Sequence, residues 1–189
     1  LLGNHEKRAA LLKQANLLID GQGPARVCMK LRKDRIRLRH ANADDSKLLW
    51  NWANDPVTRA ASFSPEPISW DQHSRWFSGK IKSTDSFIYI AINEDEKPVG
   101  QVRFDVTSTN EAIIDVSIDP SERSNNYGST LLDLAARTMF NTTQTRTLCA
   151  QIKTENTASI RAFEKAEFRK SGEEKVHGFL SYRYLREKN

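Results

Sequence analysis

From Ile113 to Phe140 the chain reads IIDVSIDPSERSNNYGSTLLDLAARTMF, a strand that runs into a polar turn and then directly into an amphipathic helix. The turn is Arg123-Ser124-Asn125-Asn126-Tyr127-Gly128, followed by Ser129. The first amide N–H groups of a helix have no intrahelical acceptor, and the positive end of the helix dipole adds to them, so such a place suits a phosphate. Gly128 presents no side chain to an approaching anion, and Asn126 is one of the few residue types that tolerate left-handed backbone. A plain polar strand-to-helix turn would have the same composition, and the hexapeptide alone leaves both readings open. Farther along, ENTASIRAFEKAEF places Asn156 and Ser159 at the start of another helix, as caps or as ligand contacts. Two titratable side chains stand where a proton could be moved: Asp115 on the strand before the turn, and His73 in an earlier helical stretch.

These residues need elements to hold them. Alternation at Arg35–Arg39 reads as a strand, and SKLLWNWAND as a helix that ends before Pro56. SFSPEPISW is a proline-interrupted loop, after which Ser69 caps a helix, with Gln72 at the capping-box position, running to about Lys82. Strands follow at Phe87–Ile92, Val99–Val106 and Ala112–Ile118, then a helix over 126–140, a strand at Thr147–Ile152, a helix over 158–166, and closing strands around Phe168 and Tyr182. The order β-α-α-β-β-β-α-β-α-β-β implies an α+β domain with a central, mostly antiparallel sheet. A separate helical pattern over Glu6–Ile19 stops at Asp20-Gly21-Gln22-Gly23-Pro24, which puts a boundary near Arg32–Asp34. Residues 1–33 are then a linker or the tail of an upstream unit, and 34–189 the main domain.

The 189 residues suffice for one well-buried domain with an appendage; 38% hydrophobic and 28% charged residues are ordinary for a globular chain. A net charge of +5 favours an anionic ligand or is simply a basic solvated surface, and no basic tract points to nucleic acid. Cys28 and Cys149 lie far apart with no Cys/His cluster, so neither a metal site nor a disulfide framework is expected, and a cytoplasmic setting fits. No run is apolar enough to span a membrane, and no signal peptide is evident.

The two motifs together are similar to those of the GNAT superfamily of N-acetyltransferases. The R/Q-x-x-G-x-G/A signature of that family appears as Arg123 to Gly128, with Asn126 in place of its first glycine, and its N-x-x-S-x-x-x-Y/F-E-K-x-G-F helix as Asn156, Ser159, Phe163, Glu164, Lys165 and Phe168. The resemblance covers about Arg35 to Arg186. It implies the GNAT fold, with splayed fourth and fifth strands, and acetyl-CoA as cosubstrate with no metal. It also implies pantetheine laid like an added strand on Val116-Ser117-Ile118, and Asn156, Ser159 and Phe163 along the cofactor arm. An amine must lose a proton before it attacks, and the developing oxyanion needs a donor such as a strand N–H near Ile118. Where peptide-acetylating relatives carry glutamate and tyrosine, this chain has Gln151 and Phe163, so the candidates for proton acceptor are Asp115 acting through water, His73, or solvent itself with proximity and orientation sufficing.

Trp52-Ala53-Asn54-Asp55, Arg59, His73 and Trp76 resemble the amino-terminal half of GNAT enzymes that acetylate the 4-amino group of a UDP-linked deoxy-amino sugar on the pseudaminic acid pathway. By that resemblance Asn54, Arg59 and His73 bond the sugar nucleotide and Trp76 stacks on it, although Trp50, Trp52, Trp70 and Trp76 equally read as packing residues. LLIDGQGPARVCMKL looks like the closing segment of the hydrolase acting near the same step, which would make the protein a two-enzyme fusion. Two other readings remain: a RimJ/RimL-like acetyltransferase of protein amino termini, and a catalytically silent acyl-CoA-binding module. Exposed sheet edges are compatible with a homodimer.

Overall fold

The sheet is assembled from strands whose side chains alternate between two cores. In β2 (Ser86–Asn93), Tyr89 and Ala91 enter one buried cluster while Ile88, Ile90 and Ile92 enter the other. The strand is therefore covered on both faces. The computed structural model describes residues 36–188; the amino-terminal helix, the residue 33–34 boundary and the hydrolase-like segment all lie outside the described residues.

β1 (Ile36–His40), β2, β3 (Pro98–Ser108) and β4 (Glu111–Ile118) pair antiparallel in succession. β4 meets β5 (Thr147–Lys153) in parallel, and β5, β7 (Phe179–Glu187) and β6 (Arg169–Val176) complete a seven-stranded sheet ordered β1-β2-β3-β4-β5-β7-β6. Helices α1 (Ser46–Ala53) and α3 (Trp70–Lys80) cover one face with Leu49, Trp52 and Phe77. On the other, α4 (Tyr127–Thr142) and α5 (Thr157–Lys165) bury Leu131, Leu132, Ala135, Met139 and Phe163 against Val102, Phe104 and Leu148. Burying one such large apolar side chain contributes roughly 1.5–3 kcal/mol. This is the expected α+β GNAT architecture, and each expected strand and helix between residues 36 and 188 is present to within a few residues.

One α-helix was not expected. Pro56 ends α1 and also starts α2 (Pro56–Ala61), because Asp55 accepts the Thr58 amide at 2.9 Å and proline suits the first helical position, whose N–H needs no partner. At the margin, β6 carries Arg169, Lys170, Glu173, Glu174 and Lys175, has a register shift between Lys170 and Gly172, and its Lys170 and Glu173 pair at 2.8 Å.

Candidate active site

The parallel seam between β4 and β5 is short. It pairs only Glu111 with Thr147, Ala112 with Leu148 and Ile113 with Cys149. Beyond it the facing edges of Ile114–Ile118 and Ala150–Lys153 have no ladder partner, although β4 still pairs with β3 and β5 with β7. The gap is a slot with main-chain donors and acceptors along its walls, suited to a ligand that carries amides. Gly100 holds the β4 wall in place: a Cβ there would lie 2.7 Å from the Ser117 carbonyl oxygen and 2.9 Å from Ile118 Cδ1.

At the head of the slot, Ser124 (φ 66°) and Asn126 (φ 63°) both adopt left-handed backbone. Asn42, Asp55, Ser69, Asp119 and Asn156 each accept an amide at the start of their own helix or turn, whereas the Asn126 side chain makes no cap bond to α4. A Cβ on Gly128 would meet Ala162 Cβ at 3.6 Å and Ile118 Cγ1 at 3.9 Å, ordinary contacts, so packing alone does not demand glycine here. These features fit the pyrophosphate of an acyl carrier at the first turn of α4.

Several expected contacts are engaged elsewhere. Arg123 ion-pairs with Asp55 and donates to Thr58 Oγ1 at 3.1 Å, so it ties α2 to the turn. Burial pushes the Asp55 carboxyl up, but the Arg123 and Thr58 hydrogen bonds and the Arg123 charge outweigh it, leaving its pKa lowered. Asn125 donates to Glu122 at 3.0 Å, and Ser129 Oγ to the Asn126 carbonyl at 3.4 Å. Tyr127 is in the core. Asn54, expected at the acceptor, is a loop clamp: its amide donates to the Ile68 carbonyl at 3.0 Å and accepts the Ile68 N–H at 2.7 Å.

A cleft of about 750 Å³ opens beside the slot and brings together Arg59, His73, Trp76, Asp115 and Ser117 with Asn156, Ser159 and Phe163. Asn156 caps α5 by accepting the Ser159 amide at 3.1 Å, and Phe163 packs edge-on to Phe168 with centroids 4.9 Å apart. His73 is only 2% exposed and is stacked among Trp70, Trp76 and Phe77. Burial pushes its pKa down, partly offset by a hydrogen bond to the Ser46 backbone, so the imidazole is neutral at pH 7. Its Nε2 is buried with no partner. With the other ring nitrogen on a carbonyl, Nε2 is an acceptor. Asp115 is half-exposed and loosely held, by Gln101 Nε2 at 3.4 Å and Arg103 Nη2 at 3.8 Å. Trp76 is 39% exposed, with the Arg103 guanidinium 5.3 Å from its ring centroid.

Sequence reasoning missed Lys153, Gln101 and Arg103. Lys153 lies two residues beyond Gln151, on the same face of β5, and the period of two would have found it. Gln101 and Arg103 sit opposite Ser117 and Asp115, a register that no turn residue announces.

The family pattern described as acetyltransferase (GNAT) domain matches residues 35–169. Among solved structures, aminoglycoside acetyltransferase AAC(6')-Ib in complex with ribostamycin and coenzyme A superposes with a TM-score of 0.72 at 16% identity, covering 81% of this chain and 93% of that one. Spermidine N-acetyltransferase from Vibrio cholerae in complex with CoA and spermine gives 0.70 at 16%, covering 80% and 95%. A domain from Methanocaldococcus jannaschii gives 0.71 at 21%, covering 82% and 99%. At these identities the likeness establishes the fold. No curated protein matches the chain significantly.

Proposed function

The chain belongs to the GNAT acetyltransferase family, and from that premise we propose that residues 34–189 transfer acetyl to the 4-amino group of a UDP-linked deoxy-amino sugar, a pseudaminic-acid-type intermediate. Acetyl-CoA supplies an activated thioester. The chain's own residues do the rest: the α4 first turn takes the pyrophosphate, the unpaired β4 edge at Val116-Ser117-Ile118 aligns the pantetheine, and the Ile118 N–H faces the developing oxyanion. Asp115, one residue before that edge, attracts the acceptor's ammonium and takes its proton through water, while neutral His73, buried among Trp70, Trp76 and Phe77, forms part of the acceptor wall.

The observation that carries the acceptor class is charge. Arg59, Arg103 and Lys153 line the cleft with Glu66 and Asp115; Arg103 is bonded to Asp105, whereas Arg59 and Lys153 rest on main-chain carbonyls without a carboxylate hydrogen bond, a lining that favours an acceptor carrying an anionic group over a polycation. Trp76 offers a partly exposed indole on which a base can stack. The likeness of Leu17–Leu31 to the end of a nucleotide-sugar hydrolase agrees with the same acceptor. The measurement is thiol release from acetyl-CoA against UDP-4-amino sugars, polyamines and amino-terminal peptides, with Gly128→Trp as the blocked control. Turnover confined to the sugars is expected; turnover of peptides alone supports the RimJ/RimL-like reading, and CoA binding without thiol release a silent module.

A further inference from the structure

A buried ammonium is costly unless a carboxylate neutralises it. Lys153 is 4% exposed, yet its Nζ donates to the Ala60 carbonyl at 2.9 Å and lies 3.8 Å from the centroid of Phe179. Neither group carries a full negative charge, and among the described residues Lys153 makes no ion pair. Arg59, next to Ala60 in the chain, shows the same pattern. Its guanidinium donates to the carbonyls of Ala53, Ser64 and Glu66 and to no carboxylate, although it feels the charge of Asp115. The other cations nearby differ: Arg103 bonds Asp105 at 2.8 Å, and Arg123 is paired with Asp55.

The carbonyls around α2 explain where the two cations rest without neutralising them. Both line the same cleft. Lys153 rests on Ala60 of α2 and Phe179 of β7, and Arg59 on the carbonyls of Ala53, Ser64 and Glu66, whereas the cation of the turn before α4, Arg123, is already neutralised by Asp55. We propose that Lys153 and Arg59 form a phosphate subsite on the acceptor side of the cleft, Lys153 being its specificity-determining residue. The proposal rests on the sugar-nucleotide reading above and names the residues that would recognise the diphosphate. An ammonium has three donors and only one is engaged by Ala60, so oxygen ligands can be added without breaking an existing bond.

The test is calorimetric titration of UDP into the CoA-saturated protein, which blocks the cofactor's own phosphate site, for wild type, Lys153→Met and Lys153→Arg. Saturable binding to wild type is expected. Lys153→Met, which keeps most of the buried volume, should lose about tenfold to a hundredfold in affinity, as for loss of a hydrogen bond to a charged group. Lys153→Arg should retain most of it, and the KM for acetyl-CoA should not move in either variant. Absence of UDP binding to wild type, or equal binding to Lys153→Met, overturns the subsite. Should amino sugars be acetylated equally by wild type and Lys153→Met, the subsite falls and the acceptor assignment stands. Should UDP binding depend on Lys153 while no amino sugar is acetylated, the acceptor assignment falls and the subsite stands.

Discussion

Trp52 Nε1 donates to Asp119 Oδ2 at 2.7 Å, joining α1 to the turn that opens the slot. The Arg123–Asp55 pair repeats the connection from α2. The start of the cleft-lining helices and the turn before α4 are therefore fastened together at two points, which in the proposed reaction sets the separation of amine and thioester.

Trp52→Phe keeps the buried ring and removes one of those fastenings. Asp119 retains its bonds from the Ser121 amide and hydroxyl. The expected loss is about 1–2 kcal/mol in urea unfolding, accompanied by a higher KM for acetyl-CoA. An unchanged KM would mean that the turn holds its shape unaided.

Gly100→Ala drives a methyl group into the Ser117 carbonyl and the Ile118 side chain. A cost of about 1–3 kcal/mol and a several-fold rise in the KM for acetyl-CoA are expected. Gly79→Ala in α3, with nothing within 4 Å of the added carbon, is the matched control and should be neutral or stabilising.

His73 gives a pH signature with a definite sign. Its folded pKa lies below the ordinary 6.5, so the stability it contributes is complete above the unfolded pKa and lost as pH falls through the folded one. Wild type should therefore lose more stability than His73→Phe between pH 7.5 and 5, read by urea melts at each pH.

Asp115→Asn tests the proton acceptor separately. A drop of about a hundredfold in kcat/KM with an unchanged KM for acetyl-CoA is expected from steady-state thiol release. A change confined to the acceptor KM would reduce Asp115 to a binding role.

The elements were legible because their signals are local: Ser69 with Gln72 forms the capping box, and Asn126 adopts the left-handed backbone its type permits. Helix α2 was hidden because proline stops one helix and starts the next with the same chemistry. The roles of Arg123, Asn54 and Lys153 were not legible for a different reason. Arg123 meets its carboxylate 68 residues away in sequence, and Lys153 its carbonyl 93 residues away, so the partner that decides each role appears only once the sheet has closed. Trp50, Trp52 and Trp76 show the same limit. The first two send their indole N–H to the Ile68 carbonyl and Asp119, and only Trp76 keeps a face toward the cleft.

The charged margin of β6 also shapes what the protein can join. A foreign strand arriving there must desolvate Arg169, Lys170, Glu173, Glu174 and Lys175 and follow a shifted register, so that border repels recruits. Midway across the same sheet, the parted β4 and β5 present bare main chain. The sheet is thus guarded at this border, where it discourages the lateral growth that leads to aggregates, and open at its interior, where the proposed cofactor would lie.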